Sequence, residues 1–193
     1  MARHKEFNRE AALVKAMETF WRYGYEGTSM QDLVDSMGIN RGSLYDTFKD
    51  KRSLFLEAVA YYETTIVNRL IKSLEAPSAS KQTIIDYFNG LVDRILADPE
   101  HRGCLITNTA VELCAHDPEA EKRIHSNFKR IEQAFYQALS SSQSRGEISA
   151  SQDVHALARF LTCNLQGLRV MSRVNPNLET LQDVVRVTIS VLN

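Results

Sequence analysis

Proline and glycine are scarce in this chain, 4 and 8 of 193 residues. So few breakers leave little room for low-complexity sequence or long disorder. No apolar run approaches the ~18 residues needed to cross a bilayer, so no membrane partner is expected. The N-terminal stretch MARHKEFNRE is charged and lacks the apolar core of a secretory signal, so a cytoplasmic location is expected. Cysteine is limited to Cys104, Cys114 and Cys163. An odd number without a CxxC pair fits reduced thiols better than a disulfide framework or a zinc knuckle. Glycine-rich phosphate loops, a GxSxG elbow and an HExxH pair are all missing, so the chain offers no enzyme site and calls for no cofactor. Net charge is also nearly missing, at −1, although a whole-chain sum does not exclude a local cationic edge.

What is present is helical spacing almost everywhere. Ala12, Leu13, Ala16, Met17, Phe20 and Trp21 recur at three- and four-residue steps and describe one buried stripe. Met30, Leu33, Val34 and Met37 repeat it over a shorter helix, with Thr28 or Ser29 at the N-cap and Gly38 at the stop. Leu44 and Phe48 point a third short helix inward. From Asp50 a long helix runs toward Leu74, with Leu54, Ala58, Tyr61, Tyr62, Ile66 and Leu70 as inner positions. Ala76-Pro77-Ser78-Ala79-Ser80 is a loop, and Asp98-Pro99 closes the next helix. A helix from about 103 to 115 follows. Asp117-Pro118 reads as N-cap plus first-turn proline of a helix through Ile124, Phe128, Ile131, Phe135 and Leu139. The run SSSQSRGEISASQ is expected to be a flexible connector, before two last helices at about 152–174 and 177–192. No alternating strand pattern or internal repeat is found. The expected fold is all-α with about nine helices.

Helices 28–37 and 41–48, joined around Gly38-Ile39-Asn40, make a helix-turn-helix, with helix 7–23 as the apolar base beneath. In such a unit the second paired helix enters the major groove of double-stranded DNA. With Leu44 and Phe48 turned inward, Arg41, Ser43, Tyr45 and Thr47 are expected to face outward. Arginine can fork onto a guanine edge, and hydroxyls can donate to phosphate oxygens. Gly42 would let the backbone approach the duplex. Lys51 would place a cation, beside free helix N–H groups, where a phosphate lies. Residues 1–55 hold nine Lys/Arg against eight Asp/Glu, so a single module is expected to bind modestly and to depend on dimerisation.

Residues 24–54, GYEGTSMQDLVDSMGINRGSLYDTFKDKRSL, closely resemble the DNA-binding signature of TetR-family transcriptional regulators. The matching positions are Gly24, Thr28, Leu33, Gly38, Ile39, Gly42, Leu44, Tyr45, Phe48, Lys51 and Leu54. The resemblance implies a DNA-binding domain at 1–50 and a helical ligand-binding and dimerisation domain at 51–193. It further implies a homodimer on a palindromic operator, a small-molecule inducer, and repression. By family analogy Thr28 or Ser29, Tyr45 and Lys51 hold phosphates, while Arg41, Ser43 and Thr47 face bases. Asp46 departs from the pattern, standing where the family more often has an aromatic residue or histidine. A helical interaction protein that binds no DNA is the rival reading, but it does not require Gly42, Tyr45 and Lys51 in this arrangement.

The 152–174 helix carries Val154, Leu157, Ala158, Leu161, Leu165 and Leu168 on one side and Phe160, Cys163, Gly167, Val170 and Met171 on others. With Leu181, Val184, Val185, Thr188, Val191 and Leu192 this suits a four-helix dimer interface. Tyr61, Tyr62, Phe88, Phe128, Phe135 and Met171 are candidates for lining a ligand cavity, or plain core. Cys104 begins a helix beside Arg102 and His101. It reads either as a thiolate stabilised by helix N–H groups and cations or as a small packed residue. The GCL…AxELC pattern around it resembles the NemR-like subgroup of thiol-sensing TetR-type repressors. Cys114, His116, Asp117, Glu121 and His125 form another constellation, in which Glu121 and His125, one helical turn apart, could share a metal ion, but an acid-rich helix start explains the same letters more simply, and no metal site is expected.

Overall fold

The computed structural model describes residues 7–193; the first six residues of the charged N-terminal stretch lie outside the described residues. All regular structure among the described residues is helical. Helix α1 spans Arg9–Tyr23, α2 Met30–Met37 and α3 Arg41–Phe48. Helix α4 is α-helical over Lys51–Tyr62, passes through a π-helical segment Glu63–Val67 and ends in Asn68–Ile71. Then follow α5 (Lys81–Ala97), α6 (Leu105–Leu113), α7 (Pro118–Ser144), α8 (Val154–Val174) and α9 (Leu178–Ser190). With the interrupted α4 counted once, nine helices are described. The chain forms two compact units, the first closing at Ile66 and the second spanning Val67–Asn193.

Each helix of the first unit starts on a side chain that accepts an otherwise orphaned N–H. Asn8 takes the N–H of Ala11, Asn40 that of Ser43 and Asp50 that of Ser53. Ser29 and Asp32 cap each other reciprocally at the start of α2. Gly38 ends α2 in the left-handed region at φ 68°. The core beneath is aromatic. Phe20 and Tyr25 each meet Phe55 edge-on at 5.0 Å, and Trp21 meets Tyr62 at 4.9 Å. These contacts bind α1 along α4, which is why the compact first unit continues past residue 50.

Two local expectations are revised. Helix α4 has no single inner stripe: Phe55, Leu56 and Val59 are buried as well as Leu54, Ala58 and Tyr62. It also widens at Glu63–Val67, where Thr64 and Thr65 both donate their hydroxyls to the Tyr61 carbonyl and compete with the regular ladder. The expected connector SSSQSRGEISASQ is helical through Ser144. Ser142 is fully buried and donates to the Ala138 carbonyl. Gln143 donates to the carbonyls of Ser149 and Gln152, which pins the turn that follows.

The second unit packs α7 against α8, with α5, α6 and α9 completing the layer. Phe88 and Phe135 stack at 5.8 Å in its centre. Asp117 and Asp153 each accept two first-turn N–H groups, which fixes the starts of α7 and α8. No helix among the described residues is long and apolar enough to cross a membrane.

Candidate nucleic-acid interface

Helix α3 has two faces. Leu44 and Phe48, one turn apart, are buried at 0% and 1% exposure, and they decide which side points away from the core. Arg41, Gly42, Tyr45 and Asp46 are exposed and Thr47 half-buried on the remaining side. The Arg41 guanidinium lies 5.9 Å from the centre of the Tyr45 ring, so a cation and a phenol share one patch of surface. In the next helix Lys51 stands in the first turn, its ammonium 4.3 Å above the Tyr25 ring. Lys49, which the sequence reading passed over, is exposed at the end of α3 with φ 68°. A basic residue directly after the anchor Phe48 is the signal that could have found it.

Three of the expected contact residues are placed differently. Ser43 is buried, not outward: it directly precedes Leu44 on a short helix, and the buried arc is wide enough to include it. Thr28 is fully buried and donates its hydroxyl to the Gly24 carbonyl at 2.6 Å, so it staples the loop between α1 and α2. Ser29 is exposed, but its hydroxyl and its N–H both donate to Asp32 Oδ2, at 2.6 and 2.7 Å. That hydroxyl lowers the Asp32 pKa, and a phosphate at Ser29 has to compete with the carboxylate. Gly42 also has a local reason: a Cβ there would stand 3.2 Å from Asn40 Oδ1, the oxygen that caps α3.

The candidate ligand residues are not brought to one place. Tyr61 donates to Glu10 at 3.2 Å and Tyr62 packs on Trp21, both within the first unit. Phe88 and Phe135 are fully buried partners in the second unit. Phe128 is half-buried on α7, and Met171 lies on the exposed side of α8. Cys104 is buried as the N-cap of α6. Arg102, the cation expected beside it, is paired with Asp98 at 3.2 Å and Glu100 at 3.6 Å. Of the five residues considered for a metal, Asp117 is occupied in capping α7. Burial, together with the charges of Glu121 and Asp117, pushes the Cys114 thiol up. Among the described residues no three such side chains are placed to share an ion.

A two-faced short helix on a capped turn, with hydroxyl, guanidinium and ammonium groups outside, can be laid into a major groove. Residues 12–58 match the family described as bacterial regulatory proteins, tetR family, and residues 81–188 match the Tetracyclin repressor-like, C-terminal domain. The chain belongs to the TetR family. It is 42% identical to an uncharacterized HTH-type transcriptional regulator, YezE, of Bacillus subtilis, over the whole of both chains. It is 32% identical to the HTH-type transcriptional repressor ComR of Escherichia coli, covering 97% of this chain and 90% of that one. A solved structure of the TetR-family regulator CifR, a cysteine mutant complexed with 26-base-pair double-strand operator DNA, superposes with a TM-score of 0.84. It is 30% identical over 99% of this chain and 100% of that one. Family membership makes the protein a DNA-binding transcriptional regulator and not an enzyme. The expected NemR-like subgroup is not supported: reduced NemR of E. coli shares the fold, with a TM-score of 0.81, at only 16% identity.

Proposed function

We propose that the protein is a homodimeric repressor that grips a palindromic operator through α3 and lets go when a small-molecule inducer binds the second unit. Residues 1–50 read DNA in this scheme, and residues 51–193 bind the inducer and hold the dimer. The observation that carries it is the outward side of α3. Arg41 and Thr47 are offered to base edges, Tyr45 and Lys51 to phosphates, and Gly42 to close approach, over an anchor of Leu44 and Phe48. The exposed apolar residues of α8 and α9, Phe160, Val170, Val174, Leu178 and Val187, favour a second copy as dimer partner. A cytoplasmic location follows from work on operator DNA.

Release is a population shift. The inducer favours a state in which the two recognition helices no longer match successive major grooves, and the two states differ by a few kcal/mol. The test is a gel shift with the DNA upstream of the protein's own gene, at about 0.15 M salt. A retarded band that survives random competitor supports the reading; equal loss with any duplex overturns it.

A second reading, thiol sensing through Cys104, is favoured by the cysteine's place at the start of α6, where helix N–H groups would stabilise a thiolate. N-ethylmaleimide then releases DNA from the native protein and spares Cys104→Ser. Equal release from both removes the idea.

A further inference from the structure

We propose that the interior of the second unit holds a small organic carboxylate, gripped by the phenol of Tyr87 on α5 and the side-chain amide of Gln166 on α8, beside the guanidinium of Arg169. The inference rests on the reading of this unit as the effector-binding half and names the chemical class that it takes.

The starting point is a pair of buried polar atoms without a hydrogen-bond partner, Tyr87 Oη and Gln166 Nε2. Tyr87 is only 5% exposed, and such an orphan inside a protein is costly unless something else satisfies it. Burial pushes the phenol above its ordinary pKa of 10.0, so the group stays an O–H donor. Gln166 is held by its other end. Its Oε1 accepts from Thr107 Oγ1 at 2.7 Å and from Arg169 Nη1 at 3.3 Å. Both bonds require oxygen on that side of the amide, which leaves the NH2 as the orphan.

The two orphans belong to one neighbourhood. Arg169 touches Gln166, its charge acts on the Tyr87 phenol, and it is itself 96% buried, with 4% exposure. Gly103, just before the N-cap of α6, has no room for a side chain because a Cβ would lie 3.0 Å from the Arg169 carbonyl oxygen. Helices α5, α6 and α8 therefore converge here. The Gln166 NH2 can only donate and the phenol has a proton to give, so a single acceptor can serve both. A carboxylate offers an oxygen to each, and a buried guanidinium beside it favours the charged acceptor over a neutral carbonyl. The Tyr87 ring meets Phe135 at 5.6 Å and Phe88 at 5.9 Å, both edge-on, so the rest of the ligand is apolar.

The test uses the full chain with acetate, butyrate, hexanoate and benzoate, each against its neutral amide. Melting is followed without DNA, and operator release is followed separately. At least one carboxylate is expected to raise the melting temperature, its amide binding about tenfold more weakly or worse. Tyr87→Phe should melt no lower than the native protein without ligand, since it deletes an orphan, yet bind that carboxylate about tenfold more weakly. Gln166→Glu keeps the acceptor for Thr107 and Arg169 but opposes a bound carboxylate, and should abolish the shift. No shift with any of the four acids overturns the proposal. So does an amide that binds as well as its acid, or undiminished binding by both variants. Because melting is read without DNA, failure here is distinguishable from failure of operator binding.

Discussion

Lys51 holds its ammonium over the Tyr25 ring from the first turn of α4, so the charge is aimed by an aromatic face as well as by its helix. A phosphate there displaces one condensed counterion. Lys51→Ala should therefore flatten the salt dependence of operator binding by roughly one unit of slope while leaving sequence preference alone. An unchanged slope in anisotropy titrations across salt would show that Lys51 touches no phosphate. Two glycines allow a second comparison at this scale. Gly38 and Gly103 share φ 68°, but a Cβ on Gly38 meets nothing within 4 Å, whereas one on Gly103 meets the Arg169 carbonyl at 3.0 Å. Gly38→Ala should cost about 1–2 kcal/mol from the left-handed backbone alone. Gly103→Ala should cost more, because backbone is the obstacle. Urea denaturation of both variants checks the order. Gly38 was legible in the sequence as a helix stop; the closeness of Gly103 to α8 was not, since its neighbour lies 66 residues away.

Helix limits were legible where they depend on near neighbours. Asn40, Asp50, Asp117 and Asp153 act within three residues of themselves, and sequence spacing shows this directly. The end of α7 was not legible, because serine and glutamine read as loop by composition while Ser142 is held by burial. Helix α5 shows a long-range form of capping. Its first N–H, from Lys81, donates to Glu147 Oε2 at 3.0 Å, and Arg145 Nε donates to the other oxygen at 2.6 Å. The Arg145 bond first, then the Lys81 N–H, hold the Glu147 carboxyl down to about 2, from an ordinary 4.5. A carboxyl depressed in the folded state stabilises fully above its unfolded pKa and loses that effect as pH falls through the folded one. The melting-temperature gap between the native protein and Glu147→Gln should thus be open above pH 4.5 and close toward pH 2. A gap constant with pH would assign the effect to shape rather than charge.

For the whole molecule the decisive quantity is subunit number. Val174 is 85% exposed on the same helix as Phe160 and Val170, which is unusual for a residue with nothing to bury it. Light scattering after size exclusion should give twice the chain mass of 21.9 kDa. Val174→Asp should shift the population toward the single mass and weaken operator binding together, because two half-sites need two linked modules. A dimer unaffected by that change would place the interface elsewhere.

Amphipathic spacing, capping letters and the turn at Gly38 determined the nine helices, the helix-turn-helix and the outward setting of Arg41, Tyr45 and Lys51, because each depends on residues a turn or two apart. Tertiary packing alone decided that Ser43 and Thr28 turn inward, and that Thr107, Gln166 and Arg169 meet within reach of the Tyr87 phenol's electrostatics. Those outcomes depend on how wide a buried arc becomes and on which helices converge. The polar partners come from three helices, and no periodicity along the chain encodes a shortage of hydrogen bonds that arises only when those helices close on one another.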